Sequence, residues 1–556
     1  MVNKLLKNGT NLMYQRQTTI LSAAGVLMIM AAGTAVLGLI KLRLMSGLGK
    51  TPLDVDMLDA FKLAFRLPDL MFQVLIAGAL NAAFIPVFGE LLGRKDRSEA
   101  WRLVSSMMTS AVVIFGLVGL FVFIFAEPLT ALLSPGLLKD APKLFLTAQL
   151  TRLMMLSPII LGMSAFLTGS LQVQHRFIMP ALAPVLYNLG GIIGIVWLYP
   201  RVGVWGLAYG VLLGAILHLA IQLPVAHASG FRFQVMLQWK DVAVRRVGKL
   251  MVPRTFGLSI DQIESVVLGG LVTLLGSGAP FLFSQIFSLI TFPISFFGVS
   301  IAQASLPTMA REAREDIDAF RQTLFTTFHQ ILYLIIPVAV LLVVLRLPII
   351  RIALNFPNWE TQTLPAAQIL LFFGAGLIAQ SAIHLWVRGF YALEETVAPL
   401  LAGAVGVVTS VFVSLLTLNA LGLRGIALAM TVGGYVTLIA LMSLMRQRIG
   451  GFSWASFYAP MVRILFSGVV MAVAVYFPVK PLERLFDTTK TSDLVMVSLL
   501  VGGFGLSLYL FISWVLGSAE VVIFFKVAQK LRSWREAFVK MPIVEETPIV
   551  SEVQAD

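Results

Sequence analysis

The chain has 556 residues, 58% hydrophobic and 12% charged, with a mean hydropathy of +0.90 and a net charge of +13. A soluble fold of that length cannot cover so much apolar surface, and the absence of cysteine excludes disulfides, iron–sulfur clusters and thiol nucleophiles. Apolar runs of the ~20 residues needed to cross a bilayer recur from end to end, so the sequence reads as an all-α polytopic membrane protein whose excess charge serves orientation and anionic lipid, with no need to invoke nucleic acid.

Lys4, Lys7 and Arg16 precede a first apolar run from about Thr18 to Leu42. That run is too long for the apolar core of a secretory signal, so it counts as span 1. About 14 transmembrane helices are expected, starting near residues 18, 58, 101, 143, 179, 202, 249, 280, 320, 364, 397, 422, 461 and 493. Alternating sides, the one holding the N-terminus, Arg94 to Arg97, His175-Arg176, Lys240 to Lys249, Arg311 to Arg321, Arg446 to Arg448 and Lys526 to Lys540 is roughly twice as basic as the other. Both termini are therefore expected in the cytoplasm. Beyond Leu516 an amphipathic surface helix is expected, ending in the disordered EETPIVSEVQAD.

Span 2 is unusual. In DAFKLAFRLPDLMFQ the residues Asp59, Lys62, Arg66, Asp69 and Gln73 follow one another at spacings of 3, 4, 3 and 4, which puts all five on one helical face. A charge facing lipid costs roughly 2.5–3.5 kcal/mol even on the gentler scales, so this face is expected to line a wet cavity. For Asp59 and Lys62 the alternative is a snorkelling position near the membrane surface. Pro68 and Pro86 bend the helix, which is tolerated where a cavity is lined.

The chain also repeats itself. AFIP ending at Pro86 matches ASLP ending at Pro307 (307 − 86 = 221), Gly169 matches Gly389 (220), and Pro180 matches Pro399 and Gly206 matches Gly425 (219 each). A unit of six spans enters the bilayer twice from the same side, which makes two parallel six-helix lobes with the working site between them, plus two extra C-terminal helices. The expected divisions are an N-lobe at 1–228 (spans 1–6), a cytoplasmic interlobe linker at 229–248, a C-lobe at 249–448 (spans 7–12), spans 13–14 at 449–517 and a tail at 518–556.

DAFKLAFRLPDLMFQVLIAGALNAAFIPVF, GSLQVQHRFIMPALAPVLYN, FPISFFGVSIAQASLPTMA and RGFYALEETVAP closely resemble signatures of the lipid II flippase family (MurJ/MviN), in the multidrug/oligosaccharidyl-lipid/polysaccharide superfamily. The resemblance runs in order across essentially the whole chain. It implies a flippase in the bacterial cytoplasmic membrane, a carrier and not an enzyme, whose central cavity alternates between the two membrane faces. It also implies an undecaprenyl-pyrophosphate-type lipid-linked substrate, a groove for the polyprenyl tail on spans 13 and 14, and a monomer among membrane lipids. The family's cavity arginines fall here on Ala35, Lys41, Phe72 and Ser288, so one of four stays cationic. Lysine is not a forked phosphate clamp. The cations left near spans 1 and 2 are Lys41, Arg43, Lys62 and Arg66, and the expected substrate-binding set is Lys41, Asp59, Lys62, Arg66, Asp69 and Gln73.

Asp261 and Glu264 sit one turn apart in span 7, as do His384 and Arg388 in span 10. They read either as a Na+ or H+ coupling site or as a charge pair that locks the lobe. SGLGKT lacks the first glycine of a phosphate loop and follows no soluble strand. No histidine spacing suits a metal, and no cofactor is expected. The competing readings are a flippase for a lipid-linked peptidoglycan precursor, a superfamily transporter of another lipid-linked glycan or amphiphile, and a non-transporting cell-wall assembly scaffold.

Overall fold

A computed structural model describes residues 20–73, 83–93, 98–257, 259–486 and 490–522. Among them every regular element is a helix, and the helices follow the expected order. Span 1 is Ile20–Ser46. Span 2 runs from Pro52 in three described pieces, Pro52–Ala64, Arg66–Phe72 and Ile85–Leu92. Spans 3 to 6 are Ser98–Ile124, Ala141–Val173, Ile178–Val202 and Val204–Ala228. Span 7 is described in two pieces, Val242–Gly257 and Ser259–Thr273. Spans 8 to 12 are Ala279–Glu315, Ile317–Val344, Trp359–Ala392, Val397–Leu421 and Leu423–Ile449. Span 13 starts at Trp454 and span 14 is Thr491–Val515. Eleven described helices are individually long and apolar enough to cross a membrane, and spans 1, 2 and 7 complete the fourteen.

Local chemistry explains the start and the break of span 2. The Thr51 hydroxyl accepts from the Asp54 amide while the Asp54 carboxylate accepts from the Thr51 amide, a reciprocal cap with Pro52 as the first helical residue. Pro68 has no N–H to donate, and its ring clashes with the carbonyl four residues back, that of Ala64, where the first piece ends. The Thr151 hydroxyl of span 4 approaches that carbonyl at 3.4 Å.

The two halves share their unusual backbone positions. His175 and Glu394 are non-glycine residues at φ +59° and +60°, 219 positions apart (394 − 175). Gly203 and Gly422, at φ +61° and +56°, are again 219 apart (422 − 203) and turn span 5 into span 6 and span 11 into span 12. The two members of each pair pack closely. A Cβ on Gly190 would lie 2.3 Å from the Gly214 nitrogen, so only glycine lets spans 5 and 6 approach this far.

Spans 13 and 14 lie against the second half, where the Tyr509 hydroxyl donates to the Tyr333 carbonyl of span 9 at 3.0 Å. Between the halves the chain is tied along span 3: Gln238 N–H donates to Ser106 at 3.1 Å, and the Trp239 indole to Ser110 at 2.9 Å. The helix of span 7 starts at Val242, inside the stretch read from sequence as linker. Most of the tail, from 523 on, lies outside the described residues, as does the surface helix expected there.

Candidate functional site

A cavity of about 500 Å³ lies between the halves, walled by spans 1, 2, 5 and 6 on one side and spans 7 and 8 on the other. Its walls are mostly apolar, with Phe and Leu the commonest residues, interrupted by Lys41, Lys62, Arg66, Asp69, Tyr187, Ser265, Ser284 and Ser288.

Lys41 reaches in from span 1. Its ammonium donates to Asn188 Oδ1 at 2.8 Å and stands 5.6 Å from the centre of the Tyr187 ring. Asn188 is oriented by its own donation to the Thr34 carbonyl at 3.2 Å. Gly191 makes room, since a Cβ there would come within 2.8 Å of Lys41 Cδ. Lys62 enters from span 2, close enough to Lys41 for the two charges to repel. No described residue forms a hydrogen bond or ion pair with its ammonium group.

Arg66, one turn further, is committed to the protein. One guanidinium nitrogen donates to the Leu133 carbonyl at 2.9 Å and the other to the Ser265 and Val266 carbonyls of span 7 at 3.0 and 3.2 Å. It fills the space that Gly269 leaves, where a Cβ would collide with it at 1.4 Å. Asp69 accepts from Gln73 Nε2 at 2.9 Å, and Gln73 Oε1 accepts from Gln262 Nε2 of span 7 at 2.8 Å. The stripe on span 2 thus meets the cavity at Lys62, Arg66 and Asp69, and Gln73 links it to the opposite half.

Asp59 is placed otherwise than its position in the stripe suggests. It is fully buried, accepting from Lys143 Nζ at 2.7 Å and from the Gly278 and Phe281 amides at 2.7 Å each, the first orphan donors of span 8. It therefore does not line the cavity. Lys143 also binds Asp56 at 2.6 Å, and Ser277 donates to Asp56 at 2.5 Å. The same end of the molecule, where span 1 finishes and span 8 begins, carries further bonds between the halves. Gln285 donates to the Leu42 carbonyl at 3.1 Å and to Ser46 at 2.6 Å; Arg43 donates to the Arg351 carbonyl at 3.1 Å and to that of Ile352; Gly136 N–H donates to Thr273 at 2.9 Å. This distal end is zipped shut.

Of the three positions where the family pattern has arginine and this chain does not, Ser288 lines the cavity, its hydroxyl donating back to the Ser284 carbonyl at 2.7 Å. Phe72 packs against the apolar core of the first half, and Ala35 is not among the lining residues. His384 and Arg388 sit half-buried on span 10, Arg388 donating to the His384 carbonyl at 3.0 Å, and neither reaches the cavity wall. Glu264 is half-buried on span 7 beside the cavity-lining Ser265, while the side chain of Asp261 lies outside the described residues. Sequence reading missed Asn188 and Tyr187, although a polar Asn inside the apolar LYNLGG was a usable signal, and it missed Lys143.

With three cations and one carboxylate, the cavity wall carries formal charges that favour an anion, set among apolar side chains. Arg66 is saturated by carbonyls, which leaves Lys41 and Lys62 to meet it.

A family model for lipid II flippase MurJ matches residues 53–495. Over 519 residues the chain is 28% identical to a probable lipid II flippase MurJ from Rhizobium tropici, covering 88% of this chain and 93% of that protein. It is 26% identical over 458 residues to a lipid II flippase MurJ from Burkholderia cenocepacia, covering 77% and 86%. Its fold superposes on that of a solved lipid II flippase MurJ in an inward closed conformation with a TM-score of 0.73 at 21% identity, covering 88% of this chain and 98% of that one. An inward-facing multidrug resistance transporter of the MATE family aligns with a TM-score of 0.60 at 17% identity over 75% and 94%. On the span of that family match, this multi-pass membrane protein belongs to the lipid II flippase MurJ family.

Proposed function

We propose that the chain carries an undecaprenyl-linked peptidoglycan precursor, lipid II-like, across the bacterial cytoplasmic membrane by alternating access, acting as a transporter and not as an enzyme. The observation that carries this reading is the cavity between the halves, with Lys41 and Lys62 turned toward it while the distal end is closed. An anionic headgroup is drawn from water into that space by two ammonium groups whose mutual repulsion it relieves. The basic bias of the loops sets both termini in the cytoplasm, so the distal end faces outward and the cavity is loaded from inside. The prenyl tail lies outside, along spans 13 and 14, which expose Phe466, Val469, Val473, Leu499, Phe504 and Phe511. Coupling to a Na+ or H+ gradient through Asp261 and Glu264 belongs to the same proposal; Ser265 and Gly269 bring that span to the cavity wall. The protein acts as a monomer among membrane lipids.

A second reading, another lipid-linked glycan or an amphiphile as cargo, is favoured by one observation: Ala35, Phe72 and Ser288 stand where the family pattern has arginine. Native mass spectrometry of the purified protein with lipid II and with undecaprenyl phosphate tests both. Retention of lipid II, lost in Lys41→Met/Lys62→Met, is expected. Equal retention by the double variant refutes the cationic site, and preference for a different co-purified glycolipid moves the cargo to the second reading.

A further inference from the structure

The chain folds back where span 14 ends. Gly517 lies at φ +68°, and the Ser518 N–H reaches the Ser513 carbonyl at 2.9 Å, a helix closure that needs the left-handed backbone glycine adopts freely. The turn sends Ser518 and Glu520 into the protein, each only 7% exposed. Glu520 is therefore a carboxylate enclosed at the junction of spans 9, 13 and 14.

Its surroundings are polar. His329 of span 9 is buried with Nε2 2.9 Å from the Phe457 carbonyl, and since a carbonyl only accepts, that nitrogen carries the hydrogen. The Tyr333 hydroxyl faces that of Ser513. Glu520 stands within electrostatic reach of His329, Tyr333 and Tyr509. Glu520 Oε2 and Ser518 Oγ are closed off from solvent without a hydrogen-bond partner, and the enclosed Ser513 and Tyr333 hydroxyls beside them face only each other. Arg463 of span 13 bonds elsewhere, donating to the Gly517 carbonyl at 3.3 Å.

Enclosed oxygens without partners are costly, a carboxylate most of all. A cation lying between the oxygens removes that cost. Hard oxygen donors suit a hard cation, and a divalent ion gathers more charge than one carboxylate and three hydroxyls supply. We propose that Glu520, Ser513, Ser518 and Tyr333 form a binding site for a sodium-sized monovalent cation that fastens the end of span 14 to span 9. The site is separate from the span 7 acids and from the central cavity, and it stands independently of the cargo. Its occupancy fixes the appended pair of spans to the second half.

The test is hydrogen exchange of the full chain in nanodiscs, in sodium chloride against N-methyl-D-glucamine chloride at constant ionic strength. Sodium is expected to slow exchange severalfold in residues 513–522, in the native chain and in Asp261→Asn alike. The slowing should vanish in Glu520→Gln and weaken in Ser513→Ala and Ser518→Ala. If Glu520→Gln fails to fold, the two serine variants, which keep the carboxylate, decide in its place. Equal exchange of the native chain in both salts would mean that ordered water suffices and would overturn the proposal. Persistence of the sodium effect in the Glu520 and serine variants, or its loss in Asp261→Asn alone, would overturn it as well.

Discussion

Replacing Asp59 by asparagine should loosen the distal end. Asp59 takes three bonds: Phe281 N–H on Oδ1, and Gly278 N–H and Lys143 Nζ on Oδ2. In its better orientation the substituted side chain of Asp59→Asn keeps the last two, the Gly278 bond now neutral and the Lys143 bond without its countercharge, and turns an amide donor toward the Phe281 N–H. The Phe281 N–H then loses its acceptor, at about 1–3 kcal/mol, and the Gly278 bond loses its charge assistance, at about 0.5 kcal/mol or more. About 2.5 kcal/mol is a reasonable centre, and it falls on the closed arrangement, because Gly278 and Phe281 belong to the opposite half whereas Lys143 shares the half of Asp59. The open fraction should then rise about a hundredfold. The chain has no cysteine, so Ser46→Cys gives a single thiol that is fully buried at this end. Its reaction with a membrane-impermeant maleimide is limited by opening, and the rate reports the open fraction even when that fraction is small. A labelling rate about a hundredfold higher in Asp59→Asn is expected, with no change at the exposed control Leu53→Cys. An unchanged rate at Ser46→Cys would show that Asp59 is equally well served in the open form, and the latch reading would fail.

Gly269→Ala should evict the Arg66 guanidinium from its three carbonyls, at about 2–4 kcal/mol, and lower the thermal midpoint read from intrinsic tryptophan fluorescence; an unshifted midpoint would show that Arg66 has an equally good alternative. Lys62→Cys should react with a charged thiol reagent applied from the cytoplasmic side, and slower reaction in the presence of lipid II is expected; inertness would take Lys62 out of the cavity. Ser288→Arg should tighten anion binding about tenfold, since it adds a forked donor to the cavity wall. Phe72→Arg should instead destabilise the first half by roughly 2–4 kcal/mol, because it drives a charge into an apolar core. Equal gains from both arginines, by lipid-binding mass spectrometry, would mean that Phe72 turns toward the cavity in another state.

Which parts of this arrangement were open to a reader of the sequence follows from the range of the forces involved. Spans are local: a run of ~20 apolar residues is a sufficient cause of a membrane helix, and the order of all fourteen was legible for that reason. The repeat was legible from prolines and glycines, and the backbone adds its own mark at His175 and Glu394, whose shared positive φ no composition reveals. The face of span 2 was legible because 3.6-residue periodicity is local too. What that face meets was not, since it depends on partners such as Lys143, 84 residues away, and the amides of Gly278 and Phe281, more than 200 residues away. Asp59 and Lys62, one turn apart on one stripe, therefore end in opposite roles. The carboxylate is consumed in closing the distal end, and the ammonium is left facing the cavity. A pattern of charges reports that a helix face is wet or partnered; the partner that reaches it first in space decides which, and in this chain that partner is the start of span 8.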